Sequence, residues 1–159
     1  MTSNPNREML REKMLDLQNY ELLTEIRGCS DAEISEIEMQ YNVQLPGMYR
    51  EFLKLYGNSE GDFLRGDDLF YPRMLGLKEA LQGCIDENQE EVYLDGSHFV
   101  FAGHEGYSFL FFNTNDGQDD PPVYRYVELE GQPKQVCQSF SAWLERAIRD
   151  EITLERNFE

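Results

Sequence analysis

The segment 34–61 constrains the fold more than any other part of this chain. It follows Ser30 and Glu33, a spacing at which each side chain can accept a hydrogen bond from the other's backbone N–H and so start a helix. Apolar residues then recur at helical spacing on both sides of Pro46, which suits the first turn of a helix because it has no N–H to leave unpaired. We expect Gly57 to end the second helix in the left-handed conformation. The segment therefore predicts two helices that meet at a tight corner and bury their apolar faces together.

Further helices and a block of short strands are predicted around this pair. Apolar residues at helical spacing predict one or two helices over residues 7–26, another over 77–91 and a last one over 140–148. Short β-rich runs predict strands at residues 69–71, 74–75, 98–102, 107–112, 123–127 and 135–137. This order predicts an α+β fold, with a mostly antiparallel twisted sheet of about five or six strands packed with N-terminal helices and a C-terminal helix.

The strands at 98–102 and 107–112 are the most distinct pair. Glycines at both ends of the four residues between them allow the backbone conformations that a hairpin turn needs. Residues 109–112 are apolar without alternation. The second strand of this hairpin is therefore predicted to be central in its sheet and covered on both faces.

The charge of the chain is strongly acidic and unevenly placed. Asp and Glu number 31 against 14 Lys and Arg, which gives a formal net charge of −17. Between Glu79 and Tyr124 there are ten acidic residues and no Lys or Arg. Such a field repels nucleic acids and anionic membrane surfaces, because both are bound through basic side chains, so we expect neither partner. A basic protein is the partner that this field attracts.

Composition and cysteine usage predict the compartment. The chain is 40% hydrophobic and 13% aromatic, enough to form the core of one domain. It begins without an apolar leader and contains no run approaching the ~20 apolar residues of a membrane span. Cys29, Cys84 and Cys137 are odd in number and widely spaced, which favours reduced thiols. We therefore expect a soluble cytoplasmic protein.

Residues 57–61 match G-x-S-x-G, the nucleophile motif of α/β-hydrolases, with Ser59 at its centre. That chemistry needs the serine on a turn from a strand into a helix. Here a predicted helix precedes the motif and no helical pattern follows it. Gly, Asn and Ser are also the residues that a turn after a helix requires. We therefore interpret the motif as a turn and predict no catalytic residue and no enzymatic activity.

Two further groups of residues could suggest a metal site, but neither has the residue spacing that such a site needs. The only histidines, His98 and His104, fall on the predicted hairpin and lack the spacing of a helical zinc motif. Residues 113–120 are rich in oxygen donors, but glycine is at the fifth position of that loop, whereas an EF-hand needs it at the sixth. We predict no metal site and no cofactor. The loop is then a solvated segment or a contact surface.

Several short motifs read together as one pattern. They are Tyr41-Asn42-Val43, Leu45-Pro46, Tyr49-x-x-Phe52-Leu53-x-x-Tyr56, Phe99 to Phe112, Pro122-Val123-Tyr124 and Ser139 to Leu144. The pattern resembles the SMI1/KNR4 (SUKH) superfamily over residues 30–149, although the loop 57–61 lacks the paired glycines that the family often has there. The resemblance implies a single domain over residues 1–159. Its parts would be an N-terminal helical extension at 1–29, the family-like core at 30–149 and a tail at 150–159.

The resemblance also implies a function. Bacterial proteins of the SUKH type resemble immunity proteins, which bind and neutralise a cognate toxin domain, often a nuclease. We therefore expect a non-enzymatic immunity protein whose acidic surface binds a basic toxin domain of nuclease type. The alternative is a regulatory or scaffold domain that binds an endogenous partner. The candidate contact residues are Asp86, Glu87, Glu90, Glu91, Tyr93, Asp95, His104, Tyr107, Asp116, Asp119 and Asp120.

Overall fold

The computed structural model describes residues 5–115 and 117–157, and their side chains at 7–115 and 117–154. The helices are α1 (Pro5–Met14), α2 (Asp16–Asn19), α3 (Asp31–Tyr41), α4 (Gly47–Tyr56), α5 (Leu77–Glu87) and α6 (Phe140–Asn157). The strands are β1 (Leu23–Glu25), β2 (Glu60–Gly61), β3 (Asp67–Asp68), β4 (His98–His104), β5 (Ser108–Asn113), β6 (Val123–Val127) and β7 (Lys134–Cys137). The predicted α+β fold is confirmed.

Five strands form the main sheet in the order β3-β4-β5-β6-β7, and every neighbouring pair is antiparallel. The hairpin of β4 and β5 is present, with His98 opposite Asn113 at one end and His104 opposite Ser108 at the other. β5 lies at the centre of the sheet, and its four middle residues are buried. The prediction of a central strand covered on both faces is therefore confirmed. β1 and β2 form a second, two-stranded sheet.

Different helices cover the two faces of the main sheet. On one face, the ring of Phe101 packs against those of Phe140 and Trp143 in α6, with centroids 5.4 and 5.0 Å apart. On the other face, Sγ of Cys84 in α5 lies 3.8 Å from the hydroxyl oxygen of Tyr126 in β6. All five side chains are buried. The sheet is thus the middle layer of the core, with helices on both sides.

The predicted helix pair has the expected start and corner. The backbone N–H of Glu33 donates to Oγ of Ser30 at 3.1 Å, and the N–H of Ser30 donates to Oε1 of Glu33 at 2.8 Å, so the capping box is present. At the corner, the N–H of Leu45 donates to Oε2 of Glu38 at 2.8 Å. α4 begins directly after Pro46. A carboxylate from the first helix therefore fixes the chain that leads into the second.

Gly57 ends α4, but the expected left-handed conformation is wrong. Its φ is −62°, in the right-handed region. A Cβ at this position would lie 2.7 Å from Sγ of Cys29 and 2.7 Å from the carbonyl oxygen of Leu53. Glycine is needed here because these neighbours approach closely, and no turn of opposite hand is involved.

The prediction of helix over residues 7–26 is correct only as far as Asn19. Leu23–Glu25 instead forms β1, which pairs with β2. The carbonyl oxygen of Leu22 also accepts from the N–H of Phe63 at 2.9 Å. A partner about 40 residues away in the chain therefore overrides the local helical pattern.

The predicted strands at 69–71 and 74–75 are also wrong, because no strand forms there and residues 71–76 lie in turns. The N–H of Met74 donates to the carbonyl oxygen of Phe70 at 3.1 Å, a hydrogen bond within the turn. Leu69 and Met74 are buried in the core. The apolar character of this segment therefore reflects burial and not strand pairing.

The terminal segments of the chain take part in the packing. Leu10, Met14 and Leu17 of α1 and α2 are buried in the main core. α6 continues through residue 157 and so includes most of the segment 150–159, which is predicted above to be a tail.

Candidate protein-binding surface

Asp86 and Glu87 lie at the exposed end of α5. The preceding residues Cys84 and Ile85 are buried and hold this end of the helix against the sheet. The side-chain amide of Asn88 donates to the carbonyl oxygen of Cys84 at 2.9 Å. α5 ends at Glu87, several residues before its predicted end, because Gln89 adopts the left-handed conformation with φ 54° and the N–H of Glu90 turns back to the carbonyl oxygen of Ile85 at 3.0 Å.

We call four of the predicted contact residues the acidic face: Asp86, Glu87, Glu91 and Tyr93. All four are exposed, and Tyr93 has 87% of its surface accessible. Asp86 accepts a hydrogen bond from Nε2 of Gln82 at 2.9 Å. Among the side chains that the structure describes, those of Glu87 and Glu91 make no hydrogen bond or ion pair. The acidic face thus presents carboxylates and one aromatic ring to solvent.

Glu90 lies between these residues in sequence but has a structural role. Its Oε1 accepts from the hydroxyl of Tyr126 at 2.5 Å and from the backbone N–H of Leu129 at 3.0 Å. These hydrogen bonds, the one from Tyr126 first, lower the pKa of Glu90. Burial and the neighbouring carboxylate raise the pKa of the Tyr126 phenol. Glu90 therefore ties the segment after α5 to the end of β6.

Asp95 shapes the turn that leads into β4. Its carboxylate accepts from the backbone N–H of Ser97 at 2.8 Å, and hydrogen bonds from Ser97 lower the pKa of Asp95. The backbone N–H of Asp95 donates to Nδ1 of His98 at 3.0 Å. Nζ of Lys78 donates to the carbonyl oxygen of Asp95 at 2.7 Å. Asp95 and His98 therefore order the backbone at this end of the hairpin.

His104 and Tyr107 lie at the other end of the hairpin from Asp95 and His98. The two ends are about 20 Å apart along β4. Nδ1 of His104 contacts Oδ1 of Asp67 on the neighbouring strand β3. Burial raises the pKa of Asp67, and this effect exceeds the opposing effect of the hydrogen bond with His104. The ring of Tyr107 is 40% exposed and lies 5.5 Å from the imidazole, edge to face.

The two described acids of the predicted contact loop hold helix starts in place. Asp119 forms an ion pair with Arg7 at 2.7 Å, and its backbone carbonyl accepts from an N–H in the first turn of α4. The carboxylate of Asp120 accepts from the backbone N–H and the hydroxyl of Ser141, at 2.9 and 2.5 Å, at the start of α6. Asp116 lies outside the described residues.

Ser59 is enclosed in the turn after α4. It is 4% exposed, and its Oγ accepts from the N–H of Arg27 at 2.9 Å and donates to the carbonyl oxygen of Arg27 at 3.1 Å. A helix precedes it and β2 follows it. This is the geometry of a structural turn, because the hydroxyl accepts one hydrogen bond and donates another within the protein.

Neither a metal-binding cluster nor a membrane span occurs in the described part of the chain. No three His, Cys, Asp or Glu side chains there are placed to hold a metal ion. No helix within residues 5–115 and 117–157 combines the length and the apolar composition needed to cross a membrane. Cys29, Cys84 and Cys137 are free thiols, the first two of them buried.

A comparison with family models decides the relationship of this chain to known proteins. The model of the SMI1/KNR4 family (SUKH-1) matches residues 28–146, about three quarters of the chain. The protein belongs to the SMI1/KNR4 family. This family includes immunity proteins and is generally of a non-catalytic immunity or scaffold type. No match to a curated protein was found.

The structure of this SMI1/KNR4 protein divides the predicted contact residues into three groups. The acidic face is one, His104 with Tyr107 is the second, and the residues that order turns and helix starts are the third. No local signal separates Glu90 from Glu91, because the partner of Glu90 lies 36 residues further along the chain. Whether a predicted contact residue is free to bind a partner or has a structural role therefore depends on contacts that form only in the folded chain.

Arg125 is not among the predicted contact residues, although the alternation along β6 gives a signal for it. Alternation along β6 places Arg125 on the same side of the sheet as Val123 and Val127. Val123 is fully buried there, yet Arg125 is exposed. A charged residue at an inward-facing position of β6, which has a neighbouring strand on each side, indicates that this face of the sheet is open at that point.

Proposed function

We propose that this SMI1/KNR4 protein is an immunity protein that binds a basic toxin domain through the acidic face and performs no catalysis of its own. Family membership supports the general class, because the family includes immunity proteins. It would act in the cytoplasm, where such a toxin meets its targets. The alternative within the same family is a regulatory or scaffold protein with an endogenous partner.

The observation that carries the proposal is the absence of Lys and Arg from residue 79 to residue 124, a stretch that holds ten acids. The acidic face lies in this stretch. Its carboxylates at Glu87 and Glu91 are exposed and, within the described residues, are not used in any internal ion pair. A surplus of unpaired like charges costs stability through mutual repulsion, which a basic partner would relieve.

The proposed mechanism is occlusion. A nuclease-type toxin carries a basic cleft for phosphates, and a surface of opposite charge would attract that cleft from a distance and speed association. Tyr93 would then supply a large, rigid contact area, of the kind that dominates binding energy at the centre of interfaces. Dissociation would be slowed by this ring more than by the charges.

The proposal is tested by co-expression with the C-terminal domain of a toxin encoded beside this protein. We expect rescue of growth, and we expect the triple variant Asp86→Lys, Glu87→Lys and Glu91→Lys to lose it. At ~1 kcal/mol for each exposed charge, the dissociation constant should rise about 100-fold. Glu90 is left unchanged because its substitution would disturb the fold.

The matched control reverses three exposed acids elsewhere, Glu12, Glu21 and Asp62, and changes the net charge equally. This variant should bind almost as well as the wild type. If both triple variants lose affinity to the same degree, the acidic face is not the contact surface. If the neighbouring genes encode no toxin and no basic domain is bound, the regulatory or scaffold alternative replaces the immunity role.

A further inference from the structure

The turn between β6 and β7 joins two groups of predicted contact residues at one end of the main sheet. The backbone N–H of Glu128 donates to the carbonyl oxygen of Tyr107 at 2.8 Å. The N–H of the next residue, Leu129, donates to Oε1 of Glu90 at 3.0 Å. The turn therefore contacts the tip of the β4–β5 hairpin on one side and the segment after α5 on the other.

Leu129 is exposed in this turn although it is a large apolar residue. It has 72% of its surface accessible and a φ of 65°, in the left-handed region that a leucine disfavours. Leu64 also has a left-handed backbone, but its side chain packs against the core, which offsets the strain. The exposed side chain of Leu129 gains little from packing, and Gly, Asn or Asp would suit its backbone better. Leucine at this position therefore costs the free protein stability.

Contacts before and after the leucine hold the turn in place. Oε1 of Glu128 accepts from Nδ2 of Asn88 at 2.9 Å. Nε2 of Gln132 donates to the carbonyl oxygen of Glu91, a residue of the acidic face. A side chain presented on a fixed backbone loses little conformational freedom on binding, which is what an interface anchor requires.

The charges next to Leu129 in the turn are acidic. Its neighbours in the chain are Glu128 and Glu130, and the side chain of Glu130 is exposed. The basic residues of the β6–β7 hairpin, Arg125 and Lys134, are cross-strand partners, and Arg125 lines a depression beside α6. Both therefore lie on the side of the sheet that faces α6, away from α5. An apolar side chain between carboxylates fits a basic surface that contains an apolar pocket, and it would repel an acidic one.

We infer that Leu129 is the central apolar anchor of one partner-binding surface, which extends from Tyr107 across the β6–β7 turn to Glu91. Its occupant is a basic protein domain, which would place an apolar pocket over Leu129 and Lys or Arg side chains against the flanking carboxylates. The inference rests on the proposed function for the basic character of this partner. It adds the turn and the hairpin tip to the contact surface that the acidic face alone provides.

The test selects short random peptides from a phage-displayed library on the immobilised full chain. We expect the selected peptides to combine Lys or Arg with apolar residues. Amide NMR shifts on adding each synthesised peptide should concentrate at residues 87–93, 105–108 and 128–132. In fluorescence polarisation, the Leu129→Gly variant should bind these peptides about tenfold more weakly, because the anchor is absent.

Glycine at this position separates binding from folding. It adopts the left-handed conformation without strain, so the urea midpoint of Leu129→Gly should equal or exceed that of the wild type. The matched control is Met39→Ala, which removes another apolar side chain, 81% exposed on α3. The ring of Tyr41 in α3 packs against Phe99, near the end of β4 away from the hairpin tip. Met39→Ala should therefore bind the peptides as the wild type does.

Several results would overturn the inference. They are selection of no peptide, selection of peptides that lack Lys and Arg or whose shifts lie elsewhere, unchanged binding by Leu129→Gly, and equal loss in Met39→Ala. A lower urea midpoint of Leu129→Gly would also overturn it, because the leucine would then be needed for folding.

The toxin domain of the co-expression test separates this inference from the proposed function. If that domain binds and the triple variant of the acidic face loses it, while Leu129→Gly keeps full affinity, the proposed function stands and the inference is wrong. If no toxin domain binds but the peptides bind as described, the surface stands and the immunity role is wrong.

Discussion

Glu90 and Glu91 are adjacent and chemically identical, yet they have different roles in this protein. Glu90 accepts hydrogen bonds from Tyr126 and Leu129, whereas the side chain of Glu91 is exposed to solvent. The difference lies in the direction of each side chain relative to the end of β6. At this scale, the role of an acid is decided by its neighbours in space, and its own chemistry is the same in both positions.

The Glu90→Gln variant should be less stable than the wild type at neutral pH. The pKa of Glu90 is lowered from its ordinary value of 4.5 in the folded protein, so its charged form favours folding above that value. This contribution is lost as the pH falls through the folded-state pKa. The difference in urea midpoint between the two proteins should therefore shrink between neutral pH and about pH 3.

Glu91→Gln is the control for that experiment, because the exposed side chain lacks these contacts. Its urea midpoint should match or slightly exceed that of the wild type at neutral pH, because one repelling charge is removed, and should not fall below it at any pH. A difference between Glu90→Gln and the wild type that stays constant with pH would contradict the assigned role of the charge.

Some glycines in this chain allow two segments to approach closely, and others allow turns. Gly28 lies where the chain passes the end of α4, and a Cβ there would lie 1.8 Å from the carbonyl oxygen of Lys54. The N–H of Cys29 donates to the carbonyl oxygen of Leu53 at 2.7 Å, which holds the two segments together. Gly83, in contrast, is in the middle of α5 with open space around it.

Alanine at these two positions should have opposite effects. Gly28→Ala should destabilise the protein by about 1–3 kcal/mol, because the methyl group forces α4 and the preceding loop apart. Gly83→Ala should stabilise it by about 0.5–1 kcal/mol, because alanine loses less backbone entropy in a helix. Urea denaturation of both variants measures the two free energies, and a stabilising Gly28→Ala would show that the close approach is not a constraint.

The whole molecule combines a dense aromatic core with a large excess of negative charge. Tyr49, Phe101, Phe112 and Phe140 are fully buried and in mutual contact between the sheet and the helices. The net charge of −17 opposes this compaction, since the acids repel one another at the surface. Folding therefore depends on the core to offset an unfavourable electrostatic energy.

Salt should accordingly stabilise the protein. Raising NaCl from about 20 mM to about 500 mM shortens the screening length from about 20 Å to below 5 Å and weakens the repulsion between exposed acids. The urea midpoint should rise over this range. The rise should be smaller in the triple variant at Glu12, Glu21 and Asp62, which carries less net charge. A midpoint that falls with salt would mean that attractive ion pairs dominate the surface.

Features that depend on neighbours in the chain could be predicted from the amino-acid sequence alone. Ser30 and Glu33 lie three residues apart, so their capping box is readable before the fold is known. The hairpin of β4 and β5 is equally local, and the family match at residues 28–146 includes both features. The excess of acids is a property of composition and needs no fold.

Contacts between residues far apart in the chain depend on the folded packing and could not be predicted from local patterns. β1 forms where a helix was predicted because its partner β2 lies more than 30 residues away. Ser59 accepts a hydrogen bond from Arg27, and Asp120 accepts one from Ser141. No local sequence pattern predicts either contact. The depression lined by Arg125, Leu110 and Val127 likewise forms where α6 leaves part of the sheet uncovered. Long-range packing fixes these features, since burial and hydrogen bonding between distant segments outweigh local propensity.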